Sequence, residues 1–140
     1  MARVELADTP LPVGGLRLAT LAAGVRYADR PDLVLLEAAP GSRCAAVFTR
    51  NAFCAAPVHL AREHLYRAAP RYLLINTGNA NAGTGAAGLA DARACTAALA
   101  EAAGVTAAEV LPLSTGVIVE PLPVAPITAS VPRLLEALTP

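Results

Sequence analysis

The stretch "INTGNANAGTG", residues 75–85, places three asparagines, two threonines and three glycines in eleven positions of a chain otherwise dominated by alanine, leucine and valine. Before it lies "RYLLIN" (71–76), a short apolar run suited to a strand. After it comes "AAGLADARACTAALAEAAG" (86–104), rich in strong helix formers and closed by Gly104, a natural C-terminal cap. The polar stretch is therefore expected to be a strand-to-helix loop. Glycine permits positive φ and close backbone approach, and asparagine tolerates the left-handed region and bonds to nearby backbone, so this composition specifies a tight, internally bonded loop.

Outward from that unit the pattern stays mixed. "GLRLATLAAGVR" (15–26) and "DLVLLEAAP" (32–40) read as strands, the second closed by the turn signal Pro40-Gly41, and "CAAVFTRN" (44–51) carries Val47, Phe48 and Thr49 as a third. Residues 58–67 place Leu60, His64 and Arg67 on one helical face, with Pro70 as a stop. In the long helix Leu89, Ala90, Ala94 and Ala97 offer a small-residue face for packing on a sheet. "EVLPLSTGVI" (109–118) is expected to be a strand entering a polar turn, and residues 121–140 a proline-broken helical tail. Strands alternating with helices give an α/β class, one domain over residues 1–140.

At 140 residues and 55% hydrophobic content the chain can bury a core. Eleven basic and eleven acidic residues balance, and no run of like charges occurs, which disfavours nucleic acid and anionic membranes as partners. The N-terminus "MARVELADTPLPVGG" has charges and prolines where a signal peptide needs an apolar core, so a cytoplasmic location is expected. Cys44, Cys54 and Cys95 are odd in number and lack zinc-type spacing; they are expected to be reduced, mostly buried thiols, with no metal site. His59 and His64, five residues apart, would sit about 140° apart on a helix, which excludes a shared metal.

Two polar turns could carry chemistry. The first, the glycine-rich loop 78–88, has no lysine-hydroxyl pair of a phosphate loop, but Gly83, Gly85 and Gly88 match G-x-G-x-x-G. A small-molecule or nucleotide binding module is the alternative it leaves open. Against it, the acidic residue such a site requires would have to be Glu101, inside the helix, or Glu109. The second turn is Ser114-Thr115-Gly116, where a hydroxyl beside an unhindered backbone N–H has the makings of an oxyanion hole. The chain offers no G-x-S-x-G elbow or nucleophile and base pair to accompany it.

Taken together, "AAVFTRNAFCAAPVHLAREHL", "LLINTGNANAGTGAAGLADA" and "VLPLSTGVIVEPLP", in this order, resemble the N-terminal part of ornithine acetyltransferase, the bifunctional glutamate N-acetyltransferase family of arginine biosynthesis. The similarity extends through "LPVGGLRLATLAAGVRYADRPDLVLLEAAPGSRCAAVFTRN" and so covers nearly the whole chain. The resemblance implies a layered sheet-and-helix domain of that type, incomplete here. It also implies a precursor that cleaves itself before a threonine, whose hydroxyl then carries acetyl from N-acetylornithine to glutamate; some members also accept acetyl-CoA as donor, and no cofactor is implied. The family's oxyanion pair falls on Thr115 and Gly116. A heterotetramer of two alpha and two beta chains is the expected assembly.

The departures are specific. No glycine-rich tract leading to a Met-Ala-Thr cleavage motif occurs before Pro140, and Thr139, followed by proline, cannot replace the nucleophile. The sequence is therefore expected to be an alpha-chain fragment that lacks turnover alone and exposes apolar surface. Val119 stands where the family often has glycine, which bears on the geometry after the turn.

Overall fold

The computed structural model describes residues 12–140, so residues 1–11 of the N-terminal stretch read above for a signal peptide lie outside the described residues. The sheet consists of β1 (Leu16–Leu21), β2 (Leu33–Ala38), β3 (Tyr72–Asn79) and β4 (Val110–Val117), in the order β1-β2-β3-β4. β1 and β3 each run antiparallel to β2, whereas β3 and β4 are parallel. A parallel neighbour requires a crossover. Here it is α2 (Gly85–Ala103), followed by a short 3-10 turn (Ala107–Glu109). α1 (Ala56–Arg67) precedes β3, and α3 (Val124–Glu136) follows β4.

Alternation along the strands separates two faces. Leu33, Leu35 and Leu74 point into a core that α2 and α3 close with Cys95, Leu99, Ile127, Val131 and Leu134. The opposite face carries Leu18, Val34, Leu36, Leu73, Ile75 and Leu113, all half-buried or exposed. A sheet with one face under helices and an apolar second face is a layered α/β arrangement. Beside β4, an apolar cavity of about 420 Å³ lies among Val47, Phe48, Leu65, Leu73, Leu111 and Leu113. Val47 is 99% exposed and Phe53 58%, so apolar surface is indeed left open.

Several elements differ from the sequence expectation. Residues 44–51 form no strand, because no strand in the described residues offers them a ladder and their side chains are largely exposed. α2 ends at the expected Gly104, which takes φ +68, but Ala90, Ala94 and Ala97 face solvent. Its buried side is Gly88, Ala92, Cys95, Thr96, Leu99 and Ala100. In an alanine-rich helix nearly every face is apolar, so the pattern does not select the packed one. In α1, Leu60 and His64 are buried as expected, while Arg67 is exposed and pairs with Glu63 at 2.9 Å.

The C-terminal helix is not broken by its prolines. Pro126 lies in the first turn of α3, where an N–H has no helical partner anyway. Pro132 is inside the helix but exposed, and burial of Ile127, Val131 and Leu134 holds the element together. Beyond it Thr139 bridges to Leu18 on the outer side of β1, its carbonyl accepting at 2.7 Å and its N–H donating at 3.0 Å.

Candidate functional site

The two polar turns, far apart in sequence, come together because they end neighbouring parallel strands. β3 and β4 stay in register through Thr77 opposite Thr115 and Gly78 opposite Gly116, and then slip at a bulge where Asn79 faces both Thr115 and Val117. The carboxyl ends of parallel strands are the usual place for ligand sites in α/β folds. Only residues 80–84 of the opening stretch form a loop, since its first half continues β3. Gly116 has φ +134, and a Cβ there would lie 2.3 Å from the Gly78 carbonyl carbon and 2.5 Å from the Asn79 nitrogen. Backbone rests on backbone at this point, and only glycine fits. Thr115 is exposed and, by alternation, shares the open sheet face with Leu111 and Leu113, whereas half-buried Ser114 turns toward the helices.

The three asparagines of the opening stretch are buried and fully engaged. Asn76 donates to the Asn79 carbonyl (2.8 Å) and accepts from the Ser114 hydroxyl (2.6 Å). Asn79 donates to the carbonyls of Glu120 (3.2 Å) and Pro121 (3.0 Å) and accepts from the Asn81 N–H (2.8 Å). Asn81, at φ +46, donates to the Gly88 carbonyl (2.8 Å) and accepts from the Thr84 hydroxyl (2.7 Å). These bonds bear out a tight, internally bonded turn.

The same bonds argue against the nucleotide alternative. A Cβ on Gly88 would fall 1.8 Å from the Thr84 hydroxyl and 2.3 Å from Asn81 Oδ1, so this glycine makes room for the chain's own side chains. Neither Glu101 nor Glu109 stands at the end of β4: Glu101 lies within α2, and Glu109 closes a capping box with Thr106. The backbone N–H of Thr106 holds the Glu109 carboxyl below the usual range.

Other groups around the turn had weaker sequence signals. Asp32 is 1% exposed and accepts from the N–H groups of Ala23 (2.7 Å) and Val25 (2.6 Å), while its own carbonyl accepts from Thr77 N–H (2.8 Å). It thereby fixes the segment that carries Arg26 against Gly78. Its place directly after Pro31, in a polar run, was the only hint. Arg26 pairs with Glu120 at 2.7 Å above the turn. Cys95, beneath Asn76 and Ser114, is pushed up to about 12 by burial and then by Asp91, so it stays a thiol at neutral pH. Cys54 is half-buried and Cys44 exposed, so the thiols are not mostly buried. Buried His64 bonds through Nδ1 to the Val110 carbonyl (2.7 Å), and His59 is exposed. Among the described residues no cluster of three His, Cys, Asp or Glu side chains could hold a metal, and no helix is long and apolar enough to cross a membrane.

The ArgJ family model matches residues 17–139, which include both strand ends and the bulge between them. The chain belongs to the ArgJ family. The arginine biosynthesis bifunctional protein ArgJ of Methylococcus capsulatus is 59% identical over 136 residues, 96% of this chain and 33% of that protein. Among solved structures, the ornithine acetyltransferase of Mycobacterium tuberculosis, crystallised with ornithine, superposes with a TM-score of 0.84 at 36% identity, covering 90% of this chain and 68% of that one. The ArgJ structure from Bacillus halodurans gives 0.79 at 34% identity, covering 84% and 62%. The expected fold class is thereby established. This ArgJ chain spans about a third of the length of the curated relatives it matches.

Proposed function

We propose that this chain is the N-terminal part of an ornithine acetyltransferase that moves acetyl from N-acetylornithine to glutamate in arginine biosynthesis, and that Thr115 and Gly116 are its oxyanion donors. The nucleophile is a threonine outside this segment, in the complementary beta chain of a cytoplasmic heterotetramer. Its hydroxyl oxygen attacks the acetyl carbonyl carbon and forms a tetrahedral intermediate whose oxygen carries negative charge. Collapse breaks the C–N bond, and the ornithine amine leaves with a proton. The amine of glutamate then attacks the threonine ester, and the threonine oxygen recovers a proton. Both steps place charge on the same oxygen, so one pair of fixed donors serves both. Acetyl-CoA fits the same donors as an alternative acyl source.

One observation carries this assignment: Gly116 is forced onto the backbone of Gly78 while Thr115 beside it stays exposed, so a hydroxyl and the next residue's backbone are fixed together at the mouth of a parallel strand pair. The test is Thr115→Ala in the full-length, self-cleaved enzyme. Loss of one such donor lowers turnover by about 10²–10³. Substrate affinity and melting temperature should hardly change. Unchanged turnover in the cleaved variant refutes the assignment, and the extent of cleavage is measured first because an uncleaved precursor is inactive for another reason.

A further inference from the structure

We infer that Asn76 and Asn79 are positioning residues that clamp the Thr115–Gly116 pair from its two sides, an inference that rests on the oxyanion assignment above. On the near side, the hydroxyl of Ser114, the residue directly before the pair, donates to Asn76 Oδ1 at 2.6 Å. The other end of that carboxamide donates to the Asn79 carbonyl at 2.8 Å, within the strand end on which Gly116 rests. The second bond fixes the orientation of the amide, since a flipped Asn76 would set its oxygen against a carbonyl oxygen. Asn76 is 4% exposed, so water cannot take over either bond.

On the far side the Asn79 amide reaches the carbonyls of Glu120 and Pro121, where the chain returns from the turn. Asn79 Oδ1 holds the Asn81 N–H, which ties that return to the loop leading into α2. Residues 115–119 between the clamps contain two positive-φ conformations, +134 at Gly116, which glycine permits, and +59 at Val119, which a β-branched residue does not favour. Besides the strand pairing, two loop bonds hold this segment, from Ala80 N–H to the Val117 carbonyl (2.8 Å) and from Val119 N–H to the Ala82 carbonyl (2.7 Å). Both acceptor and donor lie beyond the pair itself. Beyond the ladder to Thr77 and Gly78, the position of Thr115 and Gly116 thus depends on what grips the chain on either side, and donors misplaced by about 1 Å forfeit roughly 10²-fold in rate.

The decisive variant is Asn79→Asp in the full-length, self-cleaved enzyme. It is isosteric and keeps the acceptor for Asn81, but it turns the donor facing two carbonyls into a second oxygen. A positioning role predicts kcat lower by at least about tenfold with KM for N-acetylornithine within about twofold, read well below the variant's melting temperature. In a Thr115→Ala background the same change should cost several-fold less than in the wild-type enzyme, because only the Gly116 N–H is left for it to misplace. Ser114→Ala, which removes only a half-buried hydroxyl, should lower kcat by about 3–10-fold and decides the matter alone if Asn79→Asp fails to fold or cleave. The inference is overturned if these variants keep kcat within about twofold while Thr115→Ala loses about 10² or more, or if their effect falls on KM. Should Thr115→Ala itself keep full turnover, the oxyanion assignment fails, and the clamp fails with it.

Discussion

Replacing Gly116 with alanine tests a close backbone approach between the ends of β3 and β4. The added methyl would lie 2.3 Å from the Gly78 carbonyl carbon, 2.5 Å from the Asn79 nitrogen and 2.7 Å from the Gly78 oxygen, all backbone atoms that no rotamer change can move. Carbon atoms pack at about 3.5–4.0 Å, so the ends of β3 and β4 must part by more than about 1 Å. The φ of +134 adds strain that an L-residue rarely accepts. Overpacking, strain and one or two weakened ladder bonds together amount to about 3–5 kcal/mol. That is a large part of a typical stability of about 5–15 kcal/mol. Gly85→Ala is the control, with a similarly left-handed φ of +59 but nothing within 4 Å of the new methyl, and should cost about 1 kcal/mol. Scanning calorimetry of both variants in the full-length enzyme should show a melting temperature drop for Gly116→Ala at least about twice that for Gly85→Ala. Equal drops would mean that the two strand ends do not touch through backbone, and the placement of the donor pair would lose its foundation.

Two further predictions concern stability. Val119, β-branched and at φ +59, sits where strain costs about 1–2 kcal/mol, more than the roughly 0.5–1 kcal/mol of chain entropy that glycine adds, so Val119→Gly should raise the melting temperature slightly; a lower one would show that its packing over Gly83 outweighs the strain. Buried Glu37 is held below the usual carboxylate range, chiefly by the hydrogen bond from Arg17 and further by the Tyr72 hydroxyl at 2.9 Å. Its folded pKa is lower than its unfolded one, so its contribution is complete above the unfolded value of about 4.3 and disappears as pH falls through the folded value. Glu37→Gln should therefore lower the urea midpoint at pH 7 and flatten its decline below about pH 4.5, and an unchanged acid slope would exclude Glu37 as a source of that decline.

How much of this was legible depends on whether the cause is local. The end of α2 is local, since Gly104 must adopt the left-handed cap, and the sequence places it correctly. The end of β3 is not: Gly78 and Asn79 are poor strand formers on their own, and they extend the sheet because Thr115, Gly116 and Val117 lie alongside. For the same reason residues 44–51, with good strand propensity, remain unpaired for want of a neighbour. Thr115 and Gly116 stood out as a hydroxyl and a glycine at a strand end. Asp32 did not, because a single aspartate in a polar run gives no sign that two buried N–H groups await it. The asparagines announced a self-bonded turn, yet nothing in their spacing says that Asn79 reaches Glu120 and Pro121, across a helix and a strand. Val119 lies between these cases: the resemblance places it where the family often has glycine, but a β-branched residue gives no local sign of the φ of +59 that it adopts.

The direction of Thr115 bears on what a working site requires. Ser114 turns inward beneath the helices, so alternation sends Thr115 to the face shared with Leu111 and Leu113, where Leu113 is 39% exposed. A hydroxyl donor in water contributes little to a developing oxyanion, because the high dielectric screens it and water competes for the same oxygen. On the proposed reading, the pair reaches full strength only when another segment covers that face, excludes solvent and brings its nucleophile to the carbonyl carbon bonded to the same oxygen. On that reading, covering the apolar face and completing the chemistry are one event, since Leu113, exposed on that face, lies two residues before Thr115. On the same reading, donors preorganised by buried asparagines before that event need no rearrangement during it, which is the condition under which fixed dipoles lower a barrier most.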